Sequence, residues 1–204
     1  MLLLNKDLPP TPSIVVHDQN TCKQDTRLYY TPDECMWIRD WAEQQTPHFA
    51  GIGGGDRSVV NRSVRDVYLY GMPRTDLTDG LFHKILYQVH YANTNAFDFE
   101  ISGIYHDLQV LKYTDQTKQH YDWHIDISGG PAYGRKISYI IQLSDESEYE
   151  GGDLEVFDGN SHIAPKKQGT VIMFPSYICH RVSPVTRGTR WSLVIWIQGS
   201  THFR

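Results

Sequence analysis

His124 and Asp126, two positions apart in Tyr121-Asp122-Trp123-His124-Ile125-Asp126-Ile127, present an imidazole and a carboxylate at metal-ligand spacing. Alternate residues of a strand share a face. Asp122, His124 and Asp126 are therefore expected on one side, with Tyr121, Trp123, Ile125 and Ile127 on the other. With ten histidines in 204 residues, about one His-x-Asp arises by chance, so the pair alone specifies little. A third ligand gives it meaning. His180, in Cys179-His180, opens an apolar-flanked strand after Phe174-Pro175. Two histidines and one carboxylate on one side of a metal leave three positions open, the facial triad of non-haem Fe(II) oxygenases. Open positions admit O2 and a bidentate co-substrate. A structural zinc would instead close four positions, typically with cysteine, and Cys179 faces away from His180 if both lie on a strand.

A second constellation follows in Arg190-Trp191-Ser192-Leu193-Val194-Ile195-Trp196-Ile197. Arg190, Ser192, Val194 and Trp196 share one face by alternation. A guanidinium aimed into a small barrel requires an anion, and its planar fork beside a serine hydroxyl suits a carboxylate. An internal acid as partner, or a register that turns Arg190 outward, is the competing reading. Tyr113, at the end of Leu108-Gln109-Val110-Leu111-Lys112-Tyr113, can offer its hydroxyl to the same carboxylate or serve only as aromatic packing.

The elements that must position these groups are legible in outline. Thr31-Pro32-Asp33-Glu34 reads as a helix start: Thr as N-cap, Pro at the first helical position, Glu three after the cap. That helix is expected to run to about Gln45, before Pro47. A second is expected near 78–92, with Leu81, Phe82, Ile85, Leu86 and Val89 on one face. Gly51–Gly55 lacks the Gly-Lys-Ser/Thr ending of a phosphate loop and reads as a hinge or lid. With Asn61-Arg62-Ser63-Val64-Arg65 it forms either a lid over a peptide or an exposed hairpin. Beyond residue 100, short Val/Ile/Tyr/Trp-rich runs alternate with turn clusters at 107–113, 121–127, 136–143, 153–157, 170–174, 179–183 and 190–198. Such texture indicates a β-sandwich or barrel. The fold expected is mainly β (α+β), with N-terminal helices flanking a β core. It is read as one domain over 1–204, in which 1–100 is helical support and lid and 101–204 the catalytic core.

Composition narrows the classes further. Hydrophobic residues make up 40%, charged residues 21%, and the net charge is -5, typical of a soluble domain with no polyanionic partner. The nearest basic cluster, Arg57, Arg62 and Arg65, reads as a solvated face, which disfavours nucleic acid. Three cysteines, Cys22, Cys35 and Cys179, form no disulfide framework, and a reducing, cytoplasmic setting is expected. No stretch is long enough to span a bilayer, and the leucines after Met1 are too few for a secretion signal. The sequon Asn61-Arg62-Ser63 is then coincidental. His17, His48, His83, His90, His106, His162 and His202 lack ligand spacing and are expected on the surface or in the core, with His120 and Asp122 near the metal or at the surface. Nothing specifies an oligomeric state.

Several segments together carry a family resemblance: Leu108–Tyr113, His124-Ile125-Asp126, Leu143-Ser144-Asp145 through Tyr149–Leu154, Phe174-Pro175-Ser176, and the gapless run His180–Arg190. From about Leu108 onward the chain resembles the catalytic domain of prolyl-4-hydroxylase-like 2-oxoglutarate/Fe(II) dioxygenases, and among them the PKHD-type hydroxylases. The first hundred residues match only loosely. The resemblance implies a double-stranded β-helix (jelly-roll) core and Fe(II) held by His124, Asp126 and His180. It implies 2-oxoglutarate bound through Arg190, Ser192 and Tyr113, O2 as oxidant and ascorbate as reductant. Trp196 matches an aromatic position beside the metal and, with Tyr121 and Arg62, is a candidate for the substrate pocket. Gln142 departs from the pattern, standing where animal prolyl hydroxylases carry a second co-substrate tyrosine. The implied reaction is hydroxylation of a prolyl residue in a peptide or protein, giving 4-hydroxyproline, succinate and CO2. The alternatives are a non-catalytic, metal-containing jelly-roll or cupin-like binding module and an oxygenase acting on a small molecule.

Overall fold

A computed structural model of the chain describes residues 14–22, 24–52, 59–128 and 130–200. Gly53–Gly55 of the expected lid, and with them Arg57 and His202, lie outside the described residues. In chain order the structure runs β1 (Val15–His17), α1 (Pro32–Glu43), β2 (His48–Phe49), β3 (Arg65–Asp66), β4 (Tyr68–Met72), α2 (Asp79–Ala92), β5 (Ile101–Gly103) and β6 (Leu108–Thr114). It continues through β7 (His120–His124), β8 (Arg135–Gln142), β9 (Tyr149–Gly151), β10 (Leu154–Phe157), β11 (Ser161–Ile163), β12 (Val171–Pro175), β13 (Cys179–Val182) and β14 (Val185–Gly199).

Two antiparallel sheets form the body. The major sheet is ordered β1-β12-β8-β14-β6-β4-β2, with β5 and β9 also pairing with β14, and the minor sheet is β11-β10-β13-β7-β3. This is the jelly-roll architecture that the family resemblance implied. The two helices cover the outer face of the major sheet. Thr31 accepts a hydrogen bond from the Glu34 N–H while the Glu34 carboxylate accepts one from the Thr31 N–H, so the capping box forms and α1 starts as read. Its buried residues, Cys35, Ile38 and Ala42, recur at helical spacing. α2 buries Leu81, Phe82, Ile85 and Val89.

Alternation along the strands divides the interior into two cores. Ile137, Tyr139 and Ile141 of β8 and Trp191, Leu193, Ile195 and Ile197 of β14 turn toward the helices. Ile140 joins Leu111, Tyr113, Leu154, Val156, Ile172, Phe174 and Val182 in the second core, where the inner faces of the two sheets meet. Arg190, Ser192, Val194 and Trp196 fall on this inner side and line one pocket together. Polar groups are thereby placed in an otherwise apolar layer. That is affordable only where each has a partner or a ligand.

One strand departs from simple alternation. His180 of β13 lies opposite His124, but Val182 lies opposite Tyr121. Three residues of β7 therefore face two of β13, a β-bulge. The extra residue turns Tyr121 to the same side as His124, where the two rings stack with centroids 3.5 Å apart. The expected placement of Tyr121 on the opposite face is corrected accordingly. β7 also ends at His124, so Asp126 sits just beyond the strand, its N–H donating to the Ser176 carbonyl at 2.9 Å.

Candidate active site

His124 comes from β7, His180 from β13, and Asp126 from the turn after β7. Their ligand atoms lie within 4.8 Å of one another. His124 Nε2 is 3.6 Å from Asp126 Oδ1, and His180 Nε2 is 3.4 Å from Asp126 Oδ2. Each histidine Nδ1 faces a backbone carbonyl, Asp122 at 2.7 Å and Ile178 at 3.0 Å. A proton on Nδ1 satisfies those carbonyls and leaves Nε2 with a free lone pair toward the common centre. Burial, and then the neighbouring charge of His180, pushes His124 well below the ordinary imidazole range. A neutral ring is the form that binds metal. Burial opposes the charge of Asp126, but His180, His124 and a hydrogen bond from Ser138 more than offset it and hold the carboxyl below its ordinary value.

Ser138 and Ser176 are fully buried beside the triad. Ser138 Oγ donates to Asp126 Oδ2 at 2.5 Å and lies 3.0 Å from Ser176 Oγ. Neither serine was given a role from sequence, although Ser176 falls in a segment that carries the family resemblance, and the tertiary pairing of β8 with β12 brings them together.

Arg190, 1% exposed, lines the same pocket as the triad. Its Nη1 donates to Ser192 Oγ at 3.2 Å and its Nη2 to Gln142 Oε1 at 2.9 Å, while Nε has no hydrogen-bond partner. Among the described residues no carboxylate reaches it. Gln142 is in turn anchored through its Nε2 on the Pro165 carbonyl at 3.0 Å. The residue that departs from the animal pattern thus holds the arginine. Gly152, at φ +58°, lets the backbone approach the arginine stem, since a Cβ there would lie 3.0 Å from Arg190 Cδ. Tyr113, also buried, lines the same pocket 5.4 Å from the guanidinium.

The inner pocket opens to a cleft of about 820 Å³. Tyr121 and Trp196 line both spaces. Two arginines not assigned to the site from sequence lie there as well. Arg65, read as part of a solvated basic face, is 7% exposed and sits 4.7 Å from the Tyr121 ring. Arg135 sits 3.6 Å from the ring of Trp196. His48 and His106, given no role from sequence, line the cleft. Arg62 lines neither space: it pairs with the buried carboxylate of Asp66 at 2.8 Å and lies over Phe49. His120 contacts the carbonyls of Lys118 and Ser63 and stands outside the triad.

The donor set fits a divalent metal bound on one side only, and the orphaned Arg190 Nε fits an anionic group beside it. On a jelly roll, this combination can hold a metal with open positions and an acidic ligand beside it. Residues 108–198 match the model of the 2OG-Fe(II) oxygenase superfamily, a family that uses Fe(II), 2-oxoglutarate and O2. A PKHD-type hydroxylase of Idiomarina loihiensis is 36% identical over 84 residues, covering 41% of this chain and 38% of that protein. One from Sphingopyxis alaskensis is 32% identical over 120 residues, covering 56% and 54%. The alignments thus span about half or less of these relatives' lengths. Among solved structures, a Pseudomonas putida prolyl-4-hydroxylase shares the fold with a TM-score of 0.69 at 17% identity, covering 91% of this chain and 92% of its own. No helix among the described residues is long and apolar enough to cross a membrane.

Proposed function

We propose that the protein is a 2-oxoglutarate- and Fe(II)-dependent dioxygenase that hydroxylates a prolyl C–H bond in a peptide or protein, in the manner of a prolyl 4-hydroxylase. The observation that carries this reading is Arg190, buried in the same pocket as the triad and with only neutral partners among the described residues. A purely structural metal site has no need of an anion anchor. His124, Asp126 and His180 would hold the iron, whose chemistry with O2 and 2-oxoglutarate supplies the oxidising equivalent and releases succinate and CO2. Arg190, with Ser192 and the Tyr113 hydroxyl, would bind the far carboxylate of 2-oxoglutarate and fix its orientation. The apolar wall formed by Leu111, Ile140, Leu154 and Val182 excludes bulk water from that end. Tyr121 and Trp196, shared between pocket and cleft, would position the target residue.

The substrate assignment draws on the prolyl-4-hydroxylase fold. It also draws on a Trichoplax adhaerens prolyl hydroxylase solved with a hypoxia inducible factor peptide, with a TM-score of 0.71 at 14% identity, covering 92% of this chain and 84% of its own. The wide cleft is of a size to accept a peptide chain. Ascorbate is assigned as the reductant that keeps iron ferrous, and the free cysteines suit a cytoplasmic setting. The test is incubation of anaerobically purified protein with Fe(II), 2-oxoglutarate, ascorbate and O2, with and without proline-rich peptides, following succinate and peptide mass. Succinate together with a peptide heavier by one oxygen atom is the expected result. Absence of succinate despite bound iron would refute the dioxygenase reading and favour a non-catalytic metal-binding module. Succinate with free proline but no modified peptide would move the substrate to a small molecule.

A further inference from the structure

We propose that the substrate of this site presents a carboxylate, held by Arg65 and Arg135 at the mouth of the metal pocket. The inference rests on the dioxygenase reading and adds to it the charge of the substrate.

The two arginines flank the triad from different strands. Arg65, on β3, donates from Nη1 to the Gly51 carbonyl at 2.9 Å and from Nη2 to Gln109 Oε1 at 3.3 Å. Arg135, at the start of β8, donates from Nη1 to the Asp126 carbonyl at 3.1 Å. Every one of these partners is neutral. Among the described residues, Nε is buried and without a hydrogen-bond partner in both. Each guanidinium lies over an aromatic ring next to the metal ligands, Tyr121 for Arg65 and Trp196 for Arg135. Both line the open cleft.

Charge counting shows why this is unusual. When iron and 2-oxoglutarate are in place, the divalent metal and Arg190 are balanced by the Asp126 carboxylate and the two carboxylates of the co-substrate. Among the described residues, Arg65 and Arg135 are left without a compensating carboxylate. Asp107, the other carboxylate lining the cleft, makes an ion pair with neither among the described residues. Burial holds Arg135 below its ordinary value, Asp126 only partly offsets that cost, and the charge of Arg65 adds to it. Two partly desolvated cations that repel one another are costly unless an anion arrives. The cation–ring contacts offset part of the cost and hold each planar fork in a fixed orientation. A substrate carboxylate would supply the missing charge and accept hydrogen bonds from both forks. It would also bring the rest of the substrate against Tyr121 and Trp196, beside the metal. Two sources share this chemistry: an acidic side chain next to the target residue in a peptide, and the α-carboxylate of a free amino acid or a chain end.

The test measures binding without turnover. Protein loaded with Zn(II) and 2-oxoglutarate is titrated calorimetrically with three probes: the end-blocked tripeptide Glu-Pro-Glu, its isostere Gln-Pro-Gln, and free L-proline. The expected result is that one carboxylate-bearing probe, the Glu peptide or proline, binds about tenfold or more tightly than the Gln peptide, as charge-assisted hydrogen bonds predict. The advantage should weaken with added salt. Arg65→Gln and Arg135→Gln should each remove most of it. Arg65→Lys and Arg135→Lys, which keep the charge, should retain part, separating loss of charge from loss of fold. Preference for the Glu peptide assigns the side-chain source, and preference for proline with the same arginine dependence assigns the α-carboxylate. Equal affinity for the Glu and Gln peptides without proline binding overturns the proposal, as does the absence of saturable binding by all three probes. It is likewise overturned if the glutamine variants weaken 2-oxoglutarate while leaving the probe preference intact. Failure of the Fe(II) enzyme to form succinate while the charge preference persists would refute the dioxygenase reading alone.

Discussion

Replacing Ser138 by alanine tests whether the metal carboxylate is held in place from behind. Ser138 Oγ donates to Asp126 Oδ2 at 2.5 Å, and Asp126 is the shared neighbour of both histidines, at 3.6 and 3.4 Å. Hydrogen bonds to ionised acceptors are worth roughly 1.5–3 kcal/mol. Loss of an outer partner of a metal ligand costs about 10- to 100-fold in metal affinity. The two ranges agree, and S138A is expected to bind Zn(II) or Mn(II) about 10- to 100-fold more weakly. A stability cost accompanies it, because Ser176 Oγ, 3.0 Å from Ser138 Oγ and fully buried, loses a partner. An unsatisfied buried hydroxyl costs about 1–3 kcal/mol, so the melting temperature of the metal-free protein should fall by a few degrees. Titration calorimetry with the metal and thermal melts of the apo protein separate the two effects, and the double variant S138A/S176A should recover part of the melting temperature without recovering metal affinity. Unchanged metal affinity in S138A, with a lowered melting temperature, would refute the reasoning and reduce Ser138 to a packing residue.

Arg190→Gln should weaken 2-oxoglutarate by about 100-fold while leaving metal affinity unchanged, since the fork is lost but the triad is untouched. Anaerobic titration of the Fe(II) protein reads both quantities, and an unaltered 2-oxoglutarate affinity would remove Arg190 from its assigned place. His17 is buried with Nδ1 unpartnered, and burial holds its imidazole below the ordinary 6.5. The unfolded chain therefore takes up the proton first. Its contribution is intact above about pH 6.5 and is lost as pH falls toward the lower folded value. His17→Asn should flatten the melting temperature between about pH 7.5 and 5.5, and an identical slope in the variant would count against this. Gly169 has φ +80°, and a Cβ there would lie 1.9 Å from the Tyr30 carbonyl oxygen. Gly169→Ala should cost about 2–4 kcal/mol in denaturant unfolding. A loss near zero would mean that the contact between this turn and Tyr30 is easily displaced.

The parts of the structure that the sequence foretold share a physical character. α1 is written in four consecutive residues because a capping box is a local device, and α2 in an apolar face that recurs with helical period. The inward set Arg190, Ser192, Val194 and Trp196 follows from strict alternation along a long, regular strand. What escaped is non-local. The bulge in β7 arises from its pairing with β13 and leaves no mark in Tyr121–His124, so alternation misplaced Tyr121 while placing His124 correctly. Strands of two or three residues, such as β2, β3 and β11, are too short to show a period. Arg65 looked like a surface cation in a linear reading and Arg135 drew no reading, since only the folded chain lays them over Tyr121 and Trp196. Arg62 misled for the converse reason, because its partner Asp66 is close in sequence but its charge is spent there. Nothing in the sequence pointed to the contact of Ser138 and Ser176 with Asp126, since they are two small polar residues in or beside apolar strands.

The place of β14 in the major sheet has a consequence for how the chain acquires its shape. It lies between β8 and β6, so the β1-β12-β8 block and the β6-β4-β2 block are joined only through it. It also follows every other strand in order of synthesis. Until it emerges, the two blocks have no shared hydrogen bonds within that sheet, and each exposes an edge along β8 or β6. Long-range pairings of this kind form late and slowly. A nascent or truncated chain lacking 185–199 would carry the three metal-binding side chains yet have neither a closed core nor the opposite wall of the pocket. It would also expose two unpaired edges prone to association. Ordered assembly therefore waits on the arrival of this strand.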